Sequence, residues 1–350
     1  MCDRYWLIES EKVRTFESIY KLKKEIGRRW YQPVGSASFT FHCRDLTNLE
    51  WTVKSLQKKA KCCAEKVRLG HLLHMEHKNV VRLREVFESN DYILLVSEYV
   101  EGRPLFEYFA CLSELSEAMI SSAVNQISRG LMYLHDFGIA HRDLKPNNVL
   151  VNKVGEDVTI KISDAAFSTV VGMDMEMELV NGDITFTAPE IFLTHKHGPP
   201  VDMWALGVLL FIMVSGVEPF KRENEMDSFR AILKGEFSVD GKEWEGISMH
   251  CKDLIRRLLA VEPVIRLTAI QTINHKWISG EETAKHILPE IPYRLESFNQ
   301  RCKERAEYWK SVKSMLPEDH LERALVKDFS CIALQNRESE HNAAMNKLLY

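Results

Sequence analysis

His141-Arg142-Asp143-Leu144-Lys145-Pro146-Asn147-Asn148 sets three charges and two side-chain amides within eight residues, and Asp164 follows sixteen residues after Asn148. Asp143 is a group that can accept the proton of a hydroxyl. Asn148 and Asp164 offer the oxygen ligands that magnesium takes. Lys145 adds a compact positive charge two residues beyond the base. A lone Asp or Lys is usually a solvated charge or a helix cap. The information here lies in several polar groups held in one order and spacing.

The elements that must position these groups follow from composition and periodicity. The chain has 350 residues, 45% apolar and 27% charged, which suits two compact lobes. Before about residue 100, short segments rich in Val, Phe, Thr and Tyr predict strands, with one helical stretch near 58–75. After residue 105 the pattern turns helical. Met119, Ala123, Ile127, Leu131 and Leu134 recur at helical spacing and predict the apolar face of a long helix. Further helices are predicted near 202–215, 226–234, 248–259 and 268–275, punctuated by Pro199-Pro200 and Pro219. The fold class is α+β: a small β-rich lobe, then a larger helical one.

The formal charge of −4 gives no reason to expect a nucleic-acid or membrane partner. The longest apolar run, Met203–Val214, falls short of the ~20 residues that cross a bilayer and reads as a buried helix. Eight cysteines lack C-x-x-C or metal-like spacing, and the adjacent pair Cys62-Cys63 makes a poor disulfide. Reduced thiols and an opening without the apolar core of a signal peptide lead to the expectation of a cytoplasmic protein, or a nuclear one.

The motif H-R-D-x-x-x-x-N followed by a metal-binding Asp resembles the catalytic loop of eukaryotic protein kinases. Thr52-Val53-Lys54 resembles the strand that carries their phosphate-binding lysine. Leu95–Val100 resembles the last small-lobe strand and the hinge. Ala188-Pro189-Glu190 matches A-P-E, Val201–Val208 the buried helix beneath the catalytic loop, and Arg266 the arginine that pairs with the A-P-E glutamate. His275–Gly280 is most like the calcium/calmodulin-dependent group. The resemblance implies an N-terminal extension (1–19), a kinase-like domain (20–280, with lobes at 20–98 and 101–280) and a helical tail (281–350) of the kind that can be autoregulatory. It implies catalytic roles for Asp143 and Lys145. ATP contacts fall to Lys54, Gly35, Glu98, Val100 and Leu150, and magnesium ligation to Asn148 and Asp164. Supporting roles go to Arg142, Asp183, Glu190, Asp202 and Arg266. ATP and Mg2+ are the implied cofactors, and a protein hydroxyl the substrate.

Several residues depart from that pattern. Residues 27–39 keep only Gly27 and Gly35 where kinases have a glycine-rich loop, and Pro33 removes a donor. The segment reads either as a looser phosphate cradle or as an ordinary hairpin loop. Counting back nine residues from His77 reaches Arg68 where the lysine's glutamate partner belongs. Glu65, one turn earlier, either substitutes or is a solvated charge. D-F-G reads Asp164-Ala165-Ala166, which loses an aromatic contact and a flexible glycine. Asp183 replaces a threonine and can pair with Lys145, mimic a phosphate or repel Asp143. Pro104 and Asn147 stand where basophilic kinases read a substrate arginine with glutamates, so that preference does not carry over. Ser168, Thr169, Thr185 and Thr187 lie in a segment already acidic at Met173–Glu178, which predicts a loop independent of phosphorylation. Because Lys54, Asp143, Lys145, Asn148 and Asp164 all survive, a serine/threonine kinase with atypical ATP binding is the expected function. A pseudokinase acting as a scaffold is the alternative.

Beyond Pro289 and Pro292, residues 293–317 alternate apolar anchors with basic residues at helical spacing. This reads as a calmodulin-binding helix or as an amphipathic helix docked on the large lobe. One more helix and a polar end are predicted for 318–350.

Overall fold

The computed structural model describes residues 6–8, 15–31, 36–57, 70–88, 92–165, 184–194, 198–280 and 287–315. Gly35, Glu65, Arg68, Ala166, Ser168, Thr169, Met173–Glu178, Asp183 and the predicted helix after 318 lie outside the described residues.

The small lobe is one six-stranded sheet in the order β1-β5-β6-β4-β3-β2. Its strands are β1 (Trp6–Ile8), β2 (Tyr20–Tyr31), β3 (Ser36–Asp45), β4 (Glu50–Gln57), β5 (Leu83–Glu88) and β6 (Tyr92–Glu98). The last five pair antiparallel, and β1 runs parallel to β5 along its outer edge. The expected extension 1–19 therefore contributes sheet, and it covers an edge that would otherwise expose unpaired backbone groups. The expected loop at 27–39 is mostly strand: β2 and β3 stay paired from Gly27↔Thr40 out to Tyr31↔Ser36. Backbone pairing continues where a loop was predicted because the ladder needs no particular side chain to propagate.

Alternation splits the sheet into two faces. Phe87 and Val96 join Phe16, Ile19, Tyr20, Cys43 and Val53 on one side. Val86 and Leu95 join Leu72, Met75 and Leu83 on the other, where Leu134, Ile139 and Ala165 of the large lobe meet them. Phe16 belongs to a short helix, α1 (Phe16–Ile19), and stacks on Tyr20 at 5.2 Å between ring centroids.

Asp45 closes β3. Its Oδ1 accepts from Thr47 Oγ1 (2.6 Å), Thr47 N (2.9 Å) and Leu49 N (3.1 Å), and its Oδ2 from Trp51 Nε1 (3.0 Å). Burial works to raise this carboxyl's pKa, but the hydrogen bonds outweigh it and bring it down to about 2. A carboxylate depressed in the folded state stabilises above its unfolded pKa and loses that contribution as pH falls through the folded value. Asp45→Asn is therefore expected to cost about 2 kcal/mol at neutral pH. Urea unfolding at stepped pH checks this: the gap between the two proteins should close between about pH 4 and pH 2. A gap that stays constant with pH would contradict it.

The large lobe begins with β7 (Arg103–Pro104), α2 (Leu105–Ala110) and α3 (Glu117–Asp136). Ser116 caps α3 by accepting from Met119 N. The buried face of α3 is Ile120, Ala123, Val124, Ile127, Leu131 and Leu134, while Met119 is 40% exposed, so the predicted face starts one residue too early. A 3-10 turn (Pro146–Asn148), β8 (Val149–Val154) and β9 (Asp157–Ile162) follow. Then come α4 (Pro189–Thr194), α5 (Pro200–Ser215), α6 (Glu225–Lys234), α7 (Met249–Leu258), α8 (Ala269–Ile273) and α9 (Lys276–Ser279). α5 is the predicted buried helix, apolar on every side, and it stops at Gly216 in the left-handed region (φ 74°). No helix among the described residues is long and apolar enough to cross a membrane.

The last element, α10 (Ile291–Met315), carries Pro292 in its first turn, where the missing N–H costs nothing. Ile291, Leu295 and Phe298 join the large-lobe core, and Phe298 meets Phe106 of α2 edge-on at 5.4 Å. The first helix of the expected tail is thus packed into the large lobe.

Candidate active site

Asp202, in the first turn of α5, organises the loop above it. It is 1% exposed. Its Oδ2 accepts from His141 N at 2.7 Å and meets His135 Nε2 at 2.8 Å, and its Oδ1 accepts from Arg142 N at 2.7 Å. Burial alone would raise this carboxyl's pKa, but His135, His141 and the Arg142 amide together hold it below the usual range. Arg142 has φ +66°, costly for a residue with a Cβ. The Asp202 carboxylate fixes that turn by binding both adjacent amides. His141 accepts from Asp143 N at its Nδ1 (3.3 Å), so the proton sits on Nε2, which donates to Ser163 O at 2.7 Å.

The strained turn aims Asp143 at Asn148. The Asn148 amide donates to Asp143 O (2.6 Å) and Oδ2 (2.8 Å), while Lys145 Nζ donates to Oδ1 at 2.5 Å. Asn148 is 1% exposed and its carbonyl accepts from Ser163 N at 2.8 Å. The loop and the end of β9 are therefore one hydrogen-bonded unit. Asp164 follows with φ +68° and reaches across to Lys54 of β4, Oδ2 to Nζ 2.8 Å. Ala165 is buried among Leu72, Met75 and Ile139, so the position of the expected aromatic is filled by a methyl group.

The two lobes enclose a cleft of about 550 Å³, lined by Lys54, Glu98, Val100, Leu150 and Asp164 among others. All the sequence-predicted ligand residues that are described line this cleft or its catalytic loop. Lining residues that sequence reasoning did not single out include Thr40, Glu107, Tyr133 and Ser163. Ser97 and Tyr99 belong to the strand-to-hinge segment that it did single out; Thr40 carried no signal. Glu98's carboxylate is committed to Lys161 of β9 at 3.0 Å, which ties the hinge to the large lobe. Arg266 and Glu190 form the expected pair, Nη1 to Oε1 2.7 Å and Nη2 to Oε2 2.9 Å.

A family model for the protein kinase domain matches residues 20–278, and the chain belongs to that family. It is 33% identical over 319 residues to calcium/calmodulin-dependent protein kinase type IV of Rattus norvegicus, covering 91% of this chain and 65% of the relative. This chain thus spans just under two thirds of that relative's length. It is 35% identical over 266 residues to a probable myosin light chain kinase of Dictyostelium discoideum, covering 74% and 83% of the two chains. Serine/threonine-protein kinase H1 of Homo sapiens is 33% identical over 265 residues, 74% of this chain and 61% of that one.

Proposed function

We propose that this chain is a serine/threonine protein kinase that moves the γ-phosphoryl group of ATP to a protein hydroxyl. The observation that carries the reading is the meeting of Lys54 and Asp164 across the cleft, beside an Asp143 oriented by Asn148 and Lys145. The residues suit the cofactors. The cleft has the size of a small-molecule site. Asp164 and the Asn148 amide oxygen are the hard donors magnesium takes alongside phosphate oxygens and water. When bound, magnesium neutralises charge on the phosphates. Asp143 would orient the substrate hydroxyl and accept its proton. Lys145 would stabilise charge at the transferred group, and Lys54 would hold the inner phosphates. Such a protein works where Cys43, Cys111, Cys251 and Cys302 remain thiols, in the cytosol or nucleus.

Thermal unfolding with ATP and magnesium tests the nucleotide site. A ligand at 100-fold its Kd stabilises the folded state by about 2.7 kcal/mol, a rise of several degrees. Asp164→Asn, which tolerates the left-handed φ better than alanine, is expected to remove the magnesium-dependent part of the rise. No rise at millimolar ATP would favour the second reading, a kinase-shaped scaffold, which the methyl group at Ala165 supports.

Calmodulin is the partner we propose for 293–317. Leu295 and Phe298 are both buried against α2 and the large-lobe core, so binding must first release the helix. The expected result is calcium-dependent binding of a 293–317 peptide stronger than that of the full chain. A peptide with no calcium-dependent shift would end the idea.

A further inference from the structure

The cleft does not end at the ion pair of Lys54 with Asp164. Its lining runs on to Leu72, Met75, Val80, Leu83, Leu95 and Ala165, each at most 5% exposed. These side chains belong to one apolar cluster. Lys54 stands opposite Leu95 in register, and β6 continues from Leu95 to the hinge. The apolar chamber therefore lies inward of the seat assigned to the nucleotide. Ala165 gives a single methyl group to its wall, and a larger side chain there would take up the space. Walls of this kind offer water no partner and suit an apolar guest.

Past the chamber the lining turns polar at His77 and Tyr133, whose rings stack at 4.8 Å between centroids. Both are half-buried, and exposed Glu76 and Lys78 flank His77, so this end of the cleft reaches solvent away from the hinge. His77 Nδ1 accepts from Asn79 N at 3.1 Å, which leaves Nε2 as a donor. Tyr133 Oη accepts from Glu76 N at 3.1 Å, and its own proton is left to donate. Burial first, then the charges of Lys161 and Arg129, lower the His77 pKa, so the ring is neutral and stands in a positive field. Lys161 is shared with Glu98. Arg129 donates to the Asn125 amide at 3.0 Å and meets no carboxylate among the described residues.

We propose that this inner end of the cleft binds an unbranched aliphatic carboxylate, its alkyl chain in the chamber beside Ala165 and its head group on His77 and Tyr133. A flexible chain adapts to walls of Leu and Met side chains, and the carboxylate accepts from both donors. The ligand adds to a nucleotide rather than replacing it, and the site does not depend on phosphate transfer.

The test is isothermal titration calorimetry of hexanoate, octanoate, decanoate and octanol with the full chain. Affinity should rise about fourfold per methylene along the acids, the worth of burying each one. Octanol should bind about 10- to 100-fold more weakly than octanoate, the range of hydrogen bonds to a charged group. Ala165→Phe should remove the chain-length dependence while still unfolding cooperatively; if it does not fold, Ala165→Leu takes its place with the same expectation. Tyr133→Phe should weaken octanoate and leave octanol unchanged. Saturating ATP with magnesium should leave octanoate bound. A chain-length dependence that survives the larger residue at 165, an octanoate affinity indifferent to Tyr133→Phe, or displacement of octanoate by ATP would overturn the proposal. Octanoate binding without ATP stabilisation would strike the kinase reading instead. ATP stabilisation without octanoate binding would remove this site alone.

Discussion

Arg266→Ala is expected to destabilise the protein by about 3–5 kcal/mol, the range for breaking a buried ion pair from one side. All five N–H groups of Arg266 have acceptors. Two go to Glu190, Nη1 also donates to Pro200 O (2.7 Å), Nη2 to Val261 O (3.1 Å) and Nε to Ala260 O (2.9 Å). The guanidinium also lies over Trp204, 5.1 Å from the ring centroid. Truncation leaves the Glu190 carboxylate, 8% exposed, without its counter-charge, together with three carbonyls that lose their donor. The Glu190→Ala single variant should cost a similar amount. The Arg266→Met/Glu190→Leu double variant should recover much of the loss, because no uncompensated charge remains. Urea or thermal unfolding of the full cycle measures the coupling. A cost below about 1 kcal/mol for Arg266→Ala, or simple additivity, would contradict the account. The pair also ties the A-P-E segment to the start of α5 and to the loop after α7, so the same variants should loosen the segment that leads back to Asp164.

Asp143→Asn is expected to lower phosphate transfer by about 10²- to 10⁴-fold, the usual worth of a positioned general base. The effect should fall on turnover and leave folding alone. Asparagine keeps the shape of the side chain and an oxygen that can accept from Asn148, so the melting temperature should move little. Lys145 loses its ion-pair partner, but the Lys145 side chain is 30% exposed and water can take over. ATP-dependent stabilisation should survive, because Lys54 and Asp164 are untouched. A variant that transfers phosphate at the wild-type rate would remove Asp143 from its assigned role. One that also lost ATP stabilisation would show a structural defect instead.

The two predictions differ in how far sequence alone supports them. His141–Asn148 is a contiguous motif whose function depends on local spacing, so Asp143, Lys145 and Asn148 could be assigned before any fold was known. The same holds for α3, whose apolar periodicity is a local property, and for α5, whose unbroken apolar run is another, although the face of α3 was set one residue off at Met119. Lys54 and Asp164 were each singled out because each sits in its own short motif. Yet 110 residues separate them, and their 2.8 Å contact exists only because β4 and the end of β9 face one cleft.

By itself, then, the sequence determined what local spacing and periodicity encode: the α+β class, the His141–Asn148 loop, the buried helix beneath it and the pairing of Glu190 with Arg266. The tertiary structure decided the rest. Parallel pairing of β1 on β5 depends on hydrogen bonds between backbone groups some eighty residues apart, which no side-chain pattern announces. The continuation of β2 and β3 through the expected loop has the same cause. The ion pairs of Glu98 with Lys161 and of Arg305 with Glu218 join charges that in one dimension look like solvated surface residues. Charge has no sequence period, so which carboxylate loses its water, and which cation then compensates it, is settled only when the lobes and α10 pack.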